Sequence, residues 1–213
     1  MKESLDIQFV SDIMCPWCVV GLGNLNKALD ELKDTVSADI TFQPFELNPE
    51  MRPEGQDFSE HITEKYGITK AQSDENRAMI QARGKEVGFD FNFTSESRMR
   101  NSFDAHRLLH WANLEGKQAE LKMALFKAHF THNQDVSDYS TLANLAASVN
   151  LDPAAAKGNF TEEVRKLEQQ WQQHGISSVP TVIINNKYAI SGGQPADTFK
   201  KAIEDILLEA KTS

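Results

Sequence analysis

The sequence predicts an α/β protein in which a β-α-β unit and a β-β-α unit flank a block of helices. Near the N-terminus, apolar residues first alternate, then recur at helical spacing, and then alternate again. From about residue 58 to residue 173 the patterns are mostly helical, and the chain then returns to β-branched strands and one closing helix. Sheet segments at both ends of the chain indicate one sheet that is interrupted by a helical insertion.

The N-terminal β-α-β unit follows from local patterns. Residues 5–10 (LDIQFV) and 38–45 (ADITFQPF) are typical of short strands, and the apolar residues between them, such as Leu22 and Leu25, recur at helical spacing. Pro16 suits the first position of this helix, where its missing N–H removes no hydrogen bond. We therefore expect the helix to begin at Pro16.

The C-terminal β-β-α unit is predicted from three consecutive segments. Residues 181–186 (TVIINN) and 187–193 (KYAISGG) are typical of two strands, and residues 196–211 (ADTFKKAIEDILLEAK) of a closing helix. The Asn185-Asn186 pair between the strands indicates a hairpin turn.

These patterns predict a discontinuous domain and an inserted one. Residues 1–50 and 151–213 are expected to form the sheet domain, and residues 51–150 the helical insertion. Within the insertion, Asn101 or Ser102 is the expected N-cap of an amphipathic helix.

Composition and charge limit the function. Hydrophobic residues make up 40% and charged residues 25% of the chain, which is typical of a soluble folded protein. The formal net charge of −9 disfavours nucleic-acid and acidic-membrane partners. Only a short polar segment precedes the first apolar run, and no apolar run approaches the roughly 18–20 residues of a membrane helix. We expect a cytoplasmic protein, with its oligomeric state left open.

The two cysteines, Cys15 and Cys18, are the main candidates for chemistry. A disulfide between them would close too small a loop to stabilise the fold much. A zinc site would need two more ligands, and His106 and His110, at i and i+4, lie in an apolar helix where packing explains them better. We therefore expect no metal.

Redox chemistry explains the pair best. A cysteine at the N-terminus of a helix lies where unpaired N–H groups and the helix dipole favour the thiolate, the attacking species. A second cysteine three residues later can reach the first and resolve a mixed disulfide.

Three segments carry a resemblance to a known family. They are SDIMCPWC at residues 11–18, NSFDAHRLLHWA at 101–112 and GISSVPTVIINNKYAISGGQP at 175–195. With the predicted order of elements, they resemble the DsbA family of the thioredoxin superfamily, and within it the FrnE-like dithiol oxidoreductases. The resemblance covers nearly the whole chain, and it implies a thioredoxin-like fold with a large, DsbA-like helical insertion.

The resemblance also implies roles for individual residues. Cys15 would be the exposed nucleophile and Cys18 the buried resolving thiol, while Pro16 and Trp17 would tune the redox potential. A cis bond between Val179 and Pro180 would place substrate backbone beside the attacking sulfur. No cofactor is implied beyond the redox-active pair, with glutathione as a possible co-substrate.

Two further features have more than one explanation. Asn101 could bind substrate from the helical insertion, although an N-cap explains the same residue. Thioredoxin-like proteins often carry a buried acid six residues before the first cysteine, and here that position is Phe9. Asp12 and Glu46 are the nearest acids, and each is expected at the surface. The group that transfers protons is therefore unassigned.

Three functions remain open at this point. The first is thiol–disulfide exchange with protein or small-molecule thiols. The second is glutathione-dependent catalysis, since the same topology resembles 2-hydroxychromene-2-carboxylate isomerases and kappa-class glutathione transferases, although these usually carry serine at the position of Cys15. The third is a chaperone-like module that holds extended peptides. Replacement of both cysteines would abolish the first function and spare the third.

Overall fold

The computed structural model describes residues 2–212. Its strands are β1 (Glu3–Ser11), β2 (Val36–Pro44), β3 (Gln56–Asp57), β4 (Arg98–Met99), β5 (Thr181–Ile184) and β6 (Tyr188–Ser191). Its α-helices are α1 (Pro16–Glu31), α2 (Phe58–Tyr66), α3 (Lys70–Glu86), α4 (Phe103–Leu114), α5 (Gln118–Phe126), α6 (Tyr139–Ser148), α7 (Thr161–Gln173) and α8 (Ala196–Thr212).

The main sheet joins the two ends of the chain in the order β2-β1-β5-β6. β1 and β2 run parallel, whereas β5 is antiparallel to β1 and β6 is antiparallel to β5. Phe9 and Val10 of β1 point to opposite faces and are both fully buried, because helices cover the two faces. Trp171 of α7 packs against Val10 on one of these faces.

Local sequence signals set the positions of the elements that carry the cysteines and close the sheet. α1 begins at Pro16, as predicted, and Cys15 is its N-cap residue with extended backbone angles. Asn185 and Asn186 have φ angles of 52° and 53°, which suit the tight hairpin turn between β5 and β6. α8 then packs against α1.

The helical block lies between β2 and β5. Residues 89–93 (FDFNF) alternate in a way that is typical of a strand, but they form none. They instead contribute aromatic rings to a cluster in which the ring centres of Phe91 and Phe130 are 5.2 Å apart. α5 continues directly into a π-helical turn, Lys127–Thr131. The domain boundaries after residues 50 and 150 stay a prediction.

Candidate active site

The cysteine pair lies where β1 passes into α1. The Cys15 N–H donates a hydrogen bond to the carbonyl of Asp12 at 3.2 Å, which closes the turn between the two elements. Both thiols are free, and the Cys18 N–H donates a hydrogen bond to the Cys15 carbonyl at 3.1 Å. The structure thus brings the two sulfurs together at the N-terminus of a helix.

The two thiols differ less in exposure than the resemblance implies. Cys18 is 0% exposed, as expected for a resolving thiol, but Cys15 is only 4% exposed. The expectation of a freely exposed Cys15 is therefore wrong. The reason is local, because the Cys15 thiol donates a hydrogen bond to the carbonyl of Val179 at 3.7 Å and the Val179 segment packs over it.

The segment beside Cys15 contains a cis peptide bond between Val179 and Pro180. Pro180 packs closely against α1 at Gly21, where a Cβ atom would lie 3.0 Å from the Pro180 ring and 3.2 Å from the Cα atom of Gly193. The absence of a side chain at Gly21 lets this segment approach the helix that carries the cysteines.

A cavity of about 460 Å³ opens next to the pair, and most of its wall is apolar. Pro16 and Trp17 of the cysteine motif form one side of it. The opposite side is built by α2 and α3 of the helical block, including Phe58, His61, Ile62, Lys65, Tyr66, Arg77 and Ile80. The insertion therefore supplies much of the surface that a substrate would meet at this site.

Asp12 is buried beneath the cysteines, which corrects the expectation of a surface position. Its carboxylate accepts hydrogen bonds from the N–H groups of Leu47, at 2.7 Å, and Met14, at 3.1 Å. His106 of α4 lies 3.5 Å from the same carboxylate. Burial alone would raise the pKa of Asp12, but the contact with His106 and the backbone hydrogen bond outweigh it and hold that pKa below its usual value.

Glu46 is also buried rather than exposed. Its side chain is paired with Arg165 of α7, and Arg165 also binds Glu168 at 2.9 Å. Burial, followed by the negative charge of Glu46, raises the pKa of Glu168 to about 7. Glu46, which follows β2, thus forms a carboxylate pair with Glu168 of α7, and Arg165 binds both.

Cys18 lies in an environment that opposes its ionisation. Burial raises its pKa well above the usual range, and the hydrogen bond and charge of Cys15 raise it further. The backbone of Asp12 and the charge of Lys122 act in the opposite direction. Asp12, His106 and Lys122 were not predicted as site residues, although the position of Lys122 on the apolar face of α5 is a signal that the sequence contains.

Asn101 lies at the start of α4. Its side-chain oxygen accepts a hydrogen bond from the N–H of Phe103 at 3.0 Å, and its amide donates to the carbonyl of Pro49 at 3.4 Å. Ser102 is the N-cap by position but makes no side-chain capping bond. The side chain of Asn101 thus orders the helix start, and its role in substrate binding stays a prediction. Within residues 2–212, no group of three or more His, Cys, Asp or Glu side chains is arranged to hold a metal ion.

Comparison with known proteins decides the family. Residues 6–204 match the model of the DsbA-like thioredoxin domain. The chain belongs to the DsbA-like thioredoxin domain family. The predicted fold class, an α/β thioredoxin-like fold with a helical insertion, is thereby confirmed. The chain is a thiol–disulfide oxidoreductase of the DsbA-like kind.

Individual relatives cover most of this DsbA-like chain. The YwbO protein of Bacillus subtilis (strain 168) is 27% identical over 208 residues, which are 95% of this chain and 97% of that protein. The structure of a probable DsbA oxidoreductase from Streptomyces coelicolor is 28% identical, with a TM-score of 0.85 and coverage of 94% and 89%. The cytosolic disulfide reductase DsbM from Pseudomonas aeruginosa, solved with GSH, shares the fold at 16% identity, with a TM-score of 0.62 and coverage of 95% and 98%.

Proposed function

We propose that this DsbA-like protein exchanges disulfides through Cys15 as the attacking thiolate and Cys18 as the resolving thiol. The observation that carries the proposal is the position of the pair, with Cys15 as the N-cap of α1 and Cys18 buried in the first turn of the same helix. The helix N-terminus favours negative charge on Cys15, while burial keeps Cys18 protonated until it is needed.

In the reducing direction, the Cys15 thiolate attacks one sulfur of a substrate disulfide and displaces the other as a thiolate. A mixed disulfide then joins Cys15 to the substrate. Cys18 loses its proton and attacks the Cys15 sulfur, which releases the second substrate thiolate and leaves a Cys15–Cys18 disulfide. The reverse sequence oxidises a dithiol substrate, so the direction depends on the potential of the pair and of its surroundings.

The Val179–Pro180 segment is the proposed docking point for substrate backbone. The Val179 carbonyl already accepts a hydrogen bond from Cys15, and an extended substrate could replace this contact when its sulfur approaches. Pro16 and Trp17 would adjust the potential of the pair, and the adjoining apolar cavity would take a nonpolar part of the substrate. This assigns substrate contact to both the sheet domain and the helical block.

We further propose reduction in the cytoplasm with glutathione as co-substrate and no other cofactor. The cytosolic relative from Pseudomonas aeruginosa supports this address. The glutathione bound to the Pseudomonas relative supports the co-substrate. None of the helices within residues 2–212 combines the length and apolar character that crossing a membrane requires.

Replacement of each cysteine in turn tests the proposal. We expect C18S to accumulate a stable mixed disulfide with oxidised glutathione or a disulfide peptide, because Cys15 can attack but nothing resolves the product. C15S should form no such adduct and should lose reductase activity. The adducts can be counted by intact-mass spectrometry, with dithiothreitol release as a check.

The same experiment distinguishes thiol–disulfide exchange from the second candidate function, glutathione-dependent catalysis. A glutathione-dependent isomerase or transferase would bind reduced glutathione without forming a protein disulfide and would retain activity in C18S. An equal yield of adduct in C15S and C18S would contradict the assigned roles.

A further inference from the structure

Lys122 on α5 is a fully buried lysine that neither the family nor the motif explains. It is 0% exposed, and its Nζ atom has no hydrogen-bond partner among residues 2–212. The ammonium instead lies 4.9 Å from the ring centre of Phe126 and 5.7 Å from that of Phe42. Contacts with aromatic rings replace only part of the hydration that a buried charge loses.

The negative groups that face Lys122 come from the active site. They are Cys18, Asp12 and Cys15, in order of decreasing influence. Burial lowers the pKa of Lys122 to about 8, and these three groups oppose that decrease. The interaction is mutual, because the charge of Lys122 opposes the burial that raises the pKa of Cys18.

A cavity of about 200 Å³ connects Lys122 with the outside of the molecule. Polar side chains form much of its wall, namely Thr41, Gln43, Gln118, His106, His110 and Asn113. Asn113 is exposed and His110 is half-buried, so the cavity reaches the surface there. A space of this size and polarity suits several water molecules, at about 30 Å³ each. His106 and His110 are the titratable side chains of α4 that share this cavity with Lys122.

We propose that Lys122 is the buried cation that stabilises negative charge on Cys18 whenever the Cys15–Cys18 disulfide opens or closes. The proposal rests on the dithiol function proposed above. Lys122 acts through Cys18 and is a positioning residue, since its charge lowers the free energy of the thiolate without contact to the substrate. The adjoining cavity connects Lys122 with solvent, so the amine can exchange its own protons there.

The exchange step balances with these groups and solvent. A substrate thiolate attacks the Cys15 sulfur, a new S–S bond forms, and the Cys15–Cys18 bond breaks. Its electron pair passes to the Cys18 sulfur, which becomes a thiolate that the charge of Lys122 stabilises. The Cys18 thiolate then takes a proton from solvent. In the reverse direction Cys18 gives its proton to solvent, and the charge of Lys122 stabilises the thiolate that attacks Cys15.

The test is the rate at which reduced glutathione opens the Cys15–Cys18 disulfide of the full chain in the K122M variant. Loss of the cation should leave the departing Cys18 thiolate less stable and slow this step about tenfold. K127M is the matched control, because it removes the same charge from an exposed position in the turn that follows α5. We expect K127M to change the rate less than twofold.

Several outcomes would overturn the proposal. A folded K122M protein whose disulfide opens at the rate of the wild type would show that Lys122 has only a structural role. Should K122M fail to fold, NMR titration of the lysine side chains in the wild type gives the answer, since Lys122 should titrate at higher pH in the dithiol form than in the disulfide form. Equal midpoints would exclude the interaction. A wild type with no reversible dithiol transition would instead contradict the proposed function itself.

Discussion

Two carboxylates on the α7 side of the sheet, Glu46 and Glu168, share one guanidinium, that of Arg165. Their side chains are only 3% and 8% exposed, and each has one oxygen that finds no hydrogen-bond partner within residues 2–212. One cation cannot neutralise two buried negative charges, so Glu168 holds its proton up to a pH of about 7. The pair is therefore a titrating group inside a folded region.

This pair predicts how stability depends on pH. The pKa of Glu168 is raised to about 7 in the folded protein, against an ordinary value of 4.5, so folding favours the protonated form. Its contribution to the free energy of unfolding is complete below about pH 4.5 and is lost as the pH rises through 7. In E168Q, whose side chain cannot ionise, the free energy of unfolding should decrease less between pH 5 and 8 than in the wild type. Urea denaturation at each pH measures this difference. E162Q, at an exposed position of α7, is the control, and an undiminished decrease in E168Q would contradict the assignment.

At the scale of single residues, the sequence predicted the cysteines as the reactive groups but did not predict the groups around them. Cys15, Pro16 and Cys18 act through local geometry, which a motif of four residues contains. The burial of Asp12 depends on partners far away in the sequence, such as Leu47 and His106, so its position after a strand gave no sign of it. The same holds for the burial of Cys15 by Val179.

Among the elements, α8 closes the sheet against α1. Its inner face carries Phe199, Ile203 and Ile206, all of which are buried in the core, whereas Leu208 on the same helix is 64% exposed. An amphipathic helix of this kind contributes stability mainly through its buried face.

Two alanine substitutions test how much the buried face of α8 contributes to stability. I203A should lower the free energy of unfolding by roughly 2–5 kcal/mol, because it leaves a cavity in the core. L208A should change it by less than about 0.5 kcal/mol. Both values can be measured by urea denaturation, with tryptophan fluorescence as the signal. Equal losses in the two variants would mean that α8 does not pack as described.

Elements with local signals were predicted well. The start of α1 at Pro16 and the hairpin at Asn185-Asn186 depend on backbone preferences that single residues impose. The aromatic segment at residues 89–93 was harder to predict, since its alternation reflects packing against Phe130 rather than a sheet ladder. The π-helical turn after α5 had no recognisable signal.

At the scale of the whole molecule, the helical block and the sheet are joined by buried hydrogen bonds. Gln118 of α5 accepts a bond from the N–H of Phe42 at 2.8 Å and donates to its carbonyl at 2.9 Å. Phe42 lies on β2, an edge strand of the sheet. Gln118 therefore pairs with backbone groups that would otherwise lack hydrogen-bond partners in the sheet. The Arg100 N–H also contacts the sulfur of Met14, at 3.2 Å, close to the cysteines.

This junction can be tested at Gln118. Q118A should lower the free energy of unfolding by roughly 2–4 kcal/mol, because it leaves a buried N–H and a buried carbonyl of Phe42 without partners. E120A, on the exposed side of the same helix, should have little effect, since its pairing with Lys117 is a surface ion pair. Chemical denaturation of both variants gives the comparison. An unchanged stability of Q118A would show that the helical block does not depend on this contact.

The order of elements along the chain was enough to predict one sheet with a helical insertion, since sheet signals occur at both ends. It could not show which insertion residues reach the cysteines. Tyr66 and Lys122 approach the site through helix packing between distant segments, and such packing has no short-range pattern.

The redox titration of the wild-type protein against glutathione, with thiol trapping at each point, tests the central claim most directly. The account predicts a reversible two-electron transition in which Cys15 and Cys18 pass together from two free thiols to one intramolecular disulfide. A protein that formed no such disulfide, or that kept glutathione attached without resolving it, would contradict the assignment of dithiol exchange to this pair.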